Sequence, residues 1–173
     1  IEHFSFGEGL GHTPTNPGTQ PDVRNFSWRD YGLRVGIWRV LELLDELGLP
    51  ACHLMNTSIY DYAPQIPARI LNRGDEFIGH GVTNSEQQGD YSEEEERALI
   101  GNATDTFKRH EGGGPGGWMG PWISESARTP DLLAEAGYSF IMDWSCDDQP
   151  IWMRTRAGKL LMIPYHIEIN DSP

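Results

Sequence analysis

The stretch Phe77-Ile78-Gly79-His80-Gly81-Val82-Thr83-Asn84-Ser85-Glu86 constrains this chain more than any other. A short apolar run stops at a histidine flanked by glycines. Thr, Asn, Ser and Glu follow, all able to bind a ligand or a proton. A buried strand that delivers polar side chains at its C-terminal end leaves this pattern in α/β folds. His80 and Asn84 are spaced so that one turn of irregular backbone aims both at one point. A loop histidine followed by an N-cap at Asn84 or Ser85 fits the same residues.

The rest of the chain supplies partners for that strand. Leu33, Ile37, Val40, Leu41 and Leu44 recur at helical spacing. They predict a helix over 31–47, capped by Asp30 and stopped by Gly48 and Pro50. A short strand is expected at 51–55, a helix over 64–73 ending at Gly74, and the central strand at 76–80. Ser92 and Glu95 spell a capping box, and the carboxylates that follow Ser92 suit the positive end of a helix running to about His110. Thr129 as N-cap and Pro130 at the first position open a further helix, ended by Gly137. A strand over 138–142 leads into Asp143, and the runs 151–153 and 159–163 flank Arg156-Ala157-Gly158 as a hairpin. Residues 1–30 read as a strand end followed by a long loop, and 112–121 as a glycine-rich loop. Strand and helix thus alternate about four times, which predicts an α/β fold with a parallel sheet or barrel, in one domain over 1–173.

Charge excludes several functions. The chain has 173 residues and a net charge of −13, from 13 basic and 26 acidic side chains. Nucleic acid needs a basic face, and an acidic membrane surface is disfavoured for the same reason. No apolar run approaches the ~20 residues of a membrane span, and a cytoplasmic location is expected. Cys52 and Cys146 each lie in or just after an apolar run and read as two buried thiols. Asn25-Phe26-Ser27, Asn56-Thr57-Ser58 and Asn102-Ala103-Thr104 match the glycosylation pattern, which matters only in a secreted eukaryotic protein.

Chemistry collects at the expected strand ends: Glu2-His3, His80 to Glu86, Asp143 to Asp148, and Glu168 to Asp171. Charged residues are rarely buried unless paired, so packing alone is a poor reason for this recurrence. Trp118, Trp122, Trp144 and Trp152 lie in or beside these clusters and the glycine-rich loop. They are either core aromatics under long loops or a pocket wall that excludes water and stacks on a ring.

Several of these stretches carry a resemblance. They are Tyr31-Gly32-Leu33-Arg34-Val35-Gly36-Ile37-Trp38-Arg39, Gly79-His80-Gly81, Gly117-Trp118-Met119-Gly120-Pro121 and Thr129-Pro130-Asp131-Leu132-Leu133-Ala134-Glu135-Ala136-Gly137. Asp143-Trp144, Asp147-Asp148-Gln149-Pro150, Ile163-Pro164-Tyr165 and Glu168-Ile169-Asn170-Asp171 complete the set. Over nearly its whole length the chain resembles the polysaccharide deacetylase superfamily, the NodB-homology fold of carbohydrate esterase family four. Within it, the likeness is closest to the branch of metal-independent allantoinases and cyclic imide hydrolases. The resemblance implies a deformed (β/α) barrel, incomplete at both ends in this chain, and hydrolysis of a non-peptide carbon–nitrogen bond. It implies Glu2 and His80 as catalytic residues, Glu2 as base. Asn84, Trp118, Trp144, Asp148, Glu168 and Asn170 would bind the substrate. A divalent metal such as zinc would sit on His80 and Asn84, unless the site is metal-independent. Family deacetylases hold their metal with an Asp and two His, but here Asn84 stands at the second His and Glu2 near the acidic position. That departure turns the reading toward a small cyclic ureide or imide. The alternatives are a metal-dependent deacetylase of N-acetylated polysaccharide and a non-catalytic binding module. A homo-oligomer is expected, since an incomplete barrel exposes sheet edges.

Overall fold

The structure, a computed structural model, describes residues 1–7, 21–166 and 168. The described strands form one sheet in the order β1-β2-β3-β4-β6-β5. These are β1 (Cys52–Met55), β2 (Glu76–Gly79), β3 (Gly117–Trp118), β4 (Phe140–Ile141), β5 (Ile151–Thr155) and β6 (Gly158–Met162). The run β1-β2-β3-β4-β6 is parallel, and β5 pairs antiparallel with β6 across a turn at Arg156-Ala157. Parallel neighbours need crossovers, and helices supply those from β1 to β4: α3 (Ile59–Tyr62) and α4 (Gln65–Arg73), then α5 (Glu93–Glu111), then α6 (Thr129–Ala136), while β5 lies between β4 and β6 in the chain. No helix among the described residues is long and apolar enough to cross a membrane.

The first helix begins earlier than its apolar repeat indicates. Helix α1 (Val23–Tyr31) passes through a π-helical stretch, Gly32–Gly36, into α2 (Ile37–Leu47). Asp22, not Asp30, caps it, accepting from the Asn25 backbone at 3.1 Å and from its side chain at 2.6 Å. Asp30 instead accepts from Tyr62 at 2.7 Å and pairs with Arg34. The loop reading of 1–30 fails over 23–30, because α1 is mostly polar and leaves no apolar periodicity, and its stretch 8–20 lies outside the described residues. The other helix expectations hold closely. Ser92 and Glu95 do form the capping box of α5, while α6 starts at Thr129 with Arg128 as its cap. Two cores flank the sheet. Leu41, Met55, Ile66, Ile70 and Phe107 fill one, and Ile100, Trp118, Leu132, Ile141 and Leu160 fill the other.

The short strand β3 hides in what reads as a glycine-rich loop, and the glycine it pairs with has a packing reason. A Cβ on Gly79 of β2 would lie 2.6 Å from the Trp118 ring, so only glycine lets that indole lie flat on its neighbour. Both cysteines are exposed, contrary to expectation. Cys52 opens the edge strand β1, where alternation turns His53 and Met55 inward instead.

The β1 edge is pinned by charge. The buried Asp75 carboxylate accepts from Arg73 Nε at 2.6 Å, His53 Nε2 at 3.0 Å and the Ala51 N–H at 3.1 Å. Arg73 also donates to the Leu41 and Leu49 carbonyls, tying the end of α2 to the start of β1. Burial alone would raise the Asp75 pKa. The Arg73 and His53 bonds outweigh it and hold the group down at about 2.

Candidate active site

The site forms where β1 and β2 end. Residues 1–4 run beside β1, and one buried amide fixes them there. Asn56, immediately after β1, accepts from the His3 N–H at 2.7 Å and donates to the His80 carbonyl. Asn56 is fully buried, so its glycosylation pattern is a coincidence of sequence. The Asn84 N–H closes the ring by donating to the His3 carbonyl at 2.8 Å.

These bonds bring Glu2, His80 and Asn84 together. His80 is almost fully buried, and its Nδ1 lies 2.7 Å from the Met119 carbonyl. A carbonyl only accepts, so Nδ1 carries the hydrogen in either charge state. Nε2 therefore faces Glu2, with Oε1 3.9 Å away. Burial pushes the Glu2 carboxyl up. His80, helped by Arg29, outweighs burial and leaves it below its usual range. Glu2 is thus a carboxylate at any physiological pH, and half its side chain is exposed to incoming water.

Beside Glu2 opens a cleft of about 640 Å³, walled by Phe4, Trp28, Arg29, Tyr31 and Ile37. That size suits a small ligand. The Arg29 guanidinium lies over the Phe4 ring at 4.0 Å and faces Trp122 at 5.6 Å. Trp122 donates its indole N–H to the Asn84 carbonyl at 2.7 Å. Trp122 and Ile123 have φ of 63° and 53°. Such backbone costs about 1–3 kcal/mol per residue and persists only where the surroundings over-determine it.

The other expected site residues make contacts of their own. Trp118 has no exposed surface; its indole N–H bonds Gln88 at 3.2 Å and its ring meets Tyr138 edge-on. It is a core residue beneath the site, with no face to offer a substrate. Trp144 is partly exposed and bonds Glu125. The Asp148 carboxylate is almost wholly exposed, 4.0 Å from His166. Glu168 is exposed, and Asn170 lies outside the described residues. Arg29, Trp28 and Asn56 were not legible as site residues. The first two sit in a segment read as loop, and Asn56 differs from any strand-end asparagine only in what it touches.

The donor set does not suit zinc. It offers one imidazole nitrogen, one carboxylate and the Asn84 Oδ1, which is buried without a hydrogen-bond partner among the described residues. Zinc prefers His, Cys and carboxylate, and an amide oxygen is a weak neutral ligand. Among the described residues, no group of three His, Cys, Asp or Glu is placed to hold a metal ion.

The family profile described as polysaccharide deacetylase matches residues 28–141. The chain belongs to the polysaccharide deacetylase family. Solved structures agree. A Mycobacterium smegmatis protein assigned as a polysaccharide deacetylase is 26% identical with a TM-score of 0.77, over 84% of this chain and 50% of that one. PuuE allantoinase is 26% identical with a TM-score of 0.76, over 84% of this chain and 48% of its own. A Pseudomonas aeruginosa PAO1 protein, also assigned as a polysaccharide deacetylase, is 26% identical with a TM-score of 0.77, over 85% and 49%. The mixed α/β architecture is therefore that of the NodB-type barrels, and the chain spans about half the length of these structures. The search of curated proteins found no match.

Proposed function

We propose that the whole protein hydrolyses a non-peptide carbon–nitrogen bond, opening a small cyclic imide or ureide. The observation that carries this reading is the Glu2–His80 pair. A carboxylate faces an imidazole whose other nitrogen is locked on a backbone carbonyl, and Asn84 stands where a second metal-binding histidine would be. The similarity to PuuE allantoinase supports it.

Glu2 takes a proton from water as the oxygen attacks the ring carbonyl. The oxyanion is met by the Asn84 amide, and by His80 Nε2 once that nitrogen carries a hydrogen. As the intermediate collapses, the C–N bond breaks and the nitrogen takes up the proton. Trp28 and Tyr31 in the cleft, with Trp144, are the aromatic faces for the ring. Asp148, Glu168 and Asn170 remain the proposed holders of its polar edges. A cytoplasmic location belongs to the same proposal and draws support from the two free cysteines.

A metal-dependent N-acetyl-sugar deacetylase is the second reading, favoured by the assignment of the Mycobacterium smegmatis and Pseudomonas aeruginosa neighbours. One experiment separates the two. The whole protein is offered a cyclic imide or ureide beside an N-acetylated chitooligosaccharide, each with and without chelator. Ring opening that survives chelator is expected. Acetate release that chelator abolishes would establish the second reading instead.

A further inference from the structure

Past the ends of β3 and β4 lies an acidic pair that the proposed reaction does not use. Asp143 follows β4 closely and accepts from the Gly120 N–H at 2.8 Å through Oδ1. Glu125 accepts from the Trp144 indole through Oε2. Their other oxygens, Asp143 Oδ2 and Glu125 Oε1, are buried and find no donor among the described residues. The two carboxyl groups face each other. Two buried carboxylates cannot both be ionised at such range, and one proton between them satisfies both orphan oxygens. Burial pushes both groups well above the ordinary carboxylate range. Glu96, in the first turn of α5, acts on Glu125 in the same direction. Glu96 is itself engaged by Gln88 at 2.8 Å, Ser126 at 2.6 Å and Thr129.

This pair grips the loop that builds the site. Gly120 follows Met119, whose carbonyl holds His80 Nδ1–H. The strained Trp122 holds the Asn84 carbonyl. Gly120 is packed so closely that a Cβ would lie 2.4 Å from the Ser124 carbonyl, so this loop has little room to move without opening.

We propose that Glu125 and Asp143 are positioning residues: a proton shared between them clamps the Gly120–Glu125 loop, and the loop fixes the His80 imidazole and the Asn84 backbone. Loss of that proton drives the two carboxylates apart, frees Gly120 and lets His80 turn. The site therefore has an alkaline limit set by residues that never touch substrate. The inference rests on the geometry of the site and not on the reaction, so its test reads geometry rather than turnover.

The test is a neutral-to-alkaline titration of the whole protein, followed in two ways. Isotope-edited infrared spectra report the carboxylic-acid C=O band. Nuclear magnetic resonance reports the Gly120 amide, the Trp122 indole and the His80 ring nitrogens. In the wild type an acid band is expected at neutral pH, and its loss should coincide with shifts at Gly120, Trp122 and His80. In Glu125→Gln the amide donates where the acid did, so the band and the alkaline shifts should both vanish while His80 keeps its neutral-pH signals. Asp143→Asn is read the same way should the first variant fail to fold. Absence of the acid band in the wild type at neutral pH, a titration that leaves His80 unmoved, or alkaline His80 shifts that persist in Glu125→Gln would each overturn the proposal.

Discussion

Glu2 and the Glu125–Asp143 pair stand beside the C-terminal ends of different strands of one sheet, and their surroundings drive their acidities apart. Glu2 is half exposed and faces an imidazole, so its charge is favoured despite partial burial. Glu125 and Asp143 each keep one oxygen buried and face each other, so their charge is opposed. The contrast shows that position at a strand end does not decide a carboxylate's role here. What decides it is whether the nearest group can carry a positive charge. One environment yields an ionised base open to water, and the other yields a retained proton that holds backbone.

The largest effect should come from the open site. His80→Ala in the whole protein should lower kcat/KM by about 100- to 10,000-fold with the fold intact, as loss of a positioned proton-handling group does. Near-normal turnover with a cyclic imide would remove His80 and Glu2 from the chemistry. Trp118→Ala tests the ground beneath both acid groups. A fully buried tryptophan lost to alanine costs about 3–5 kcal/mol, so a urea midpoint should fall steeply. A changed KM with unchanged stability would instead put Trp118 back in the substrate's path.

The acidic pair should show in stability against pH. Its folded pKa values lie above the unfolded ones, so the folded chain holds more protons. Its contribution is most favourable below about pH 4, the unfolded carboxylate range. Stability is then lost as pH rises toward the folded values, at roughly 1.4 kcal/mol per pH unit while one group is in play. Denaturant titrations of Glu125→Gln should lack one group's share of that slope; an unchanged slope would mean that the proton is held elsewhere.

Asp75 gives the opposite sign and the smallest effect. Its folded pKa of about 2 lies below the unfolded one. Its stabilisation is present above about pH 4 and lost as pH falls toward 2, amounting to about 1–2 kcal/mol after allowance for screening. Asp75→Asn should flatten this acid limb. An unaltered limb would show that the β1 edge does not depend on that charge.

Much of the scaffold was legible in the sequence, because its cues are local. The capping box at Ser92, the helix stop at Gly48 and the Arg156-Ala157 turn are written within a few residues. Helix α1 and strand β3 were not, since one is too polar for its period and the other is two residues long among glycines. For the site, His80 and Asn84 stood out because they follow an apolar run. Trp118 follows no such rule: an indole beside glycines can line a pocket or fill a core, and only the packing against Gly79 decides. Glu125 gave no signal at all, since its partner Asp143 is distant in sequence.

The π-helical stretch at Gly32–Gly36 also governs what insertions and deletions this chain can tolerate. A π turn is an α-helix carrying one residue too many. Deleting one residue there would restore a regular helix, because the widened turn already absorbs the extra residue, and would leave what lies beyond it close to its present phase. Leu41, buried against the sheet, would keep its face, and α1 with Arg29 would move only slightly. The segment can therefore lose one residue without a new apolar stripe in α2, whereas a deletion in the regular turns of α2 would rotate that stripe by roughly 100°.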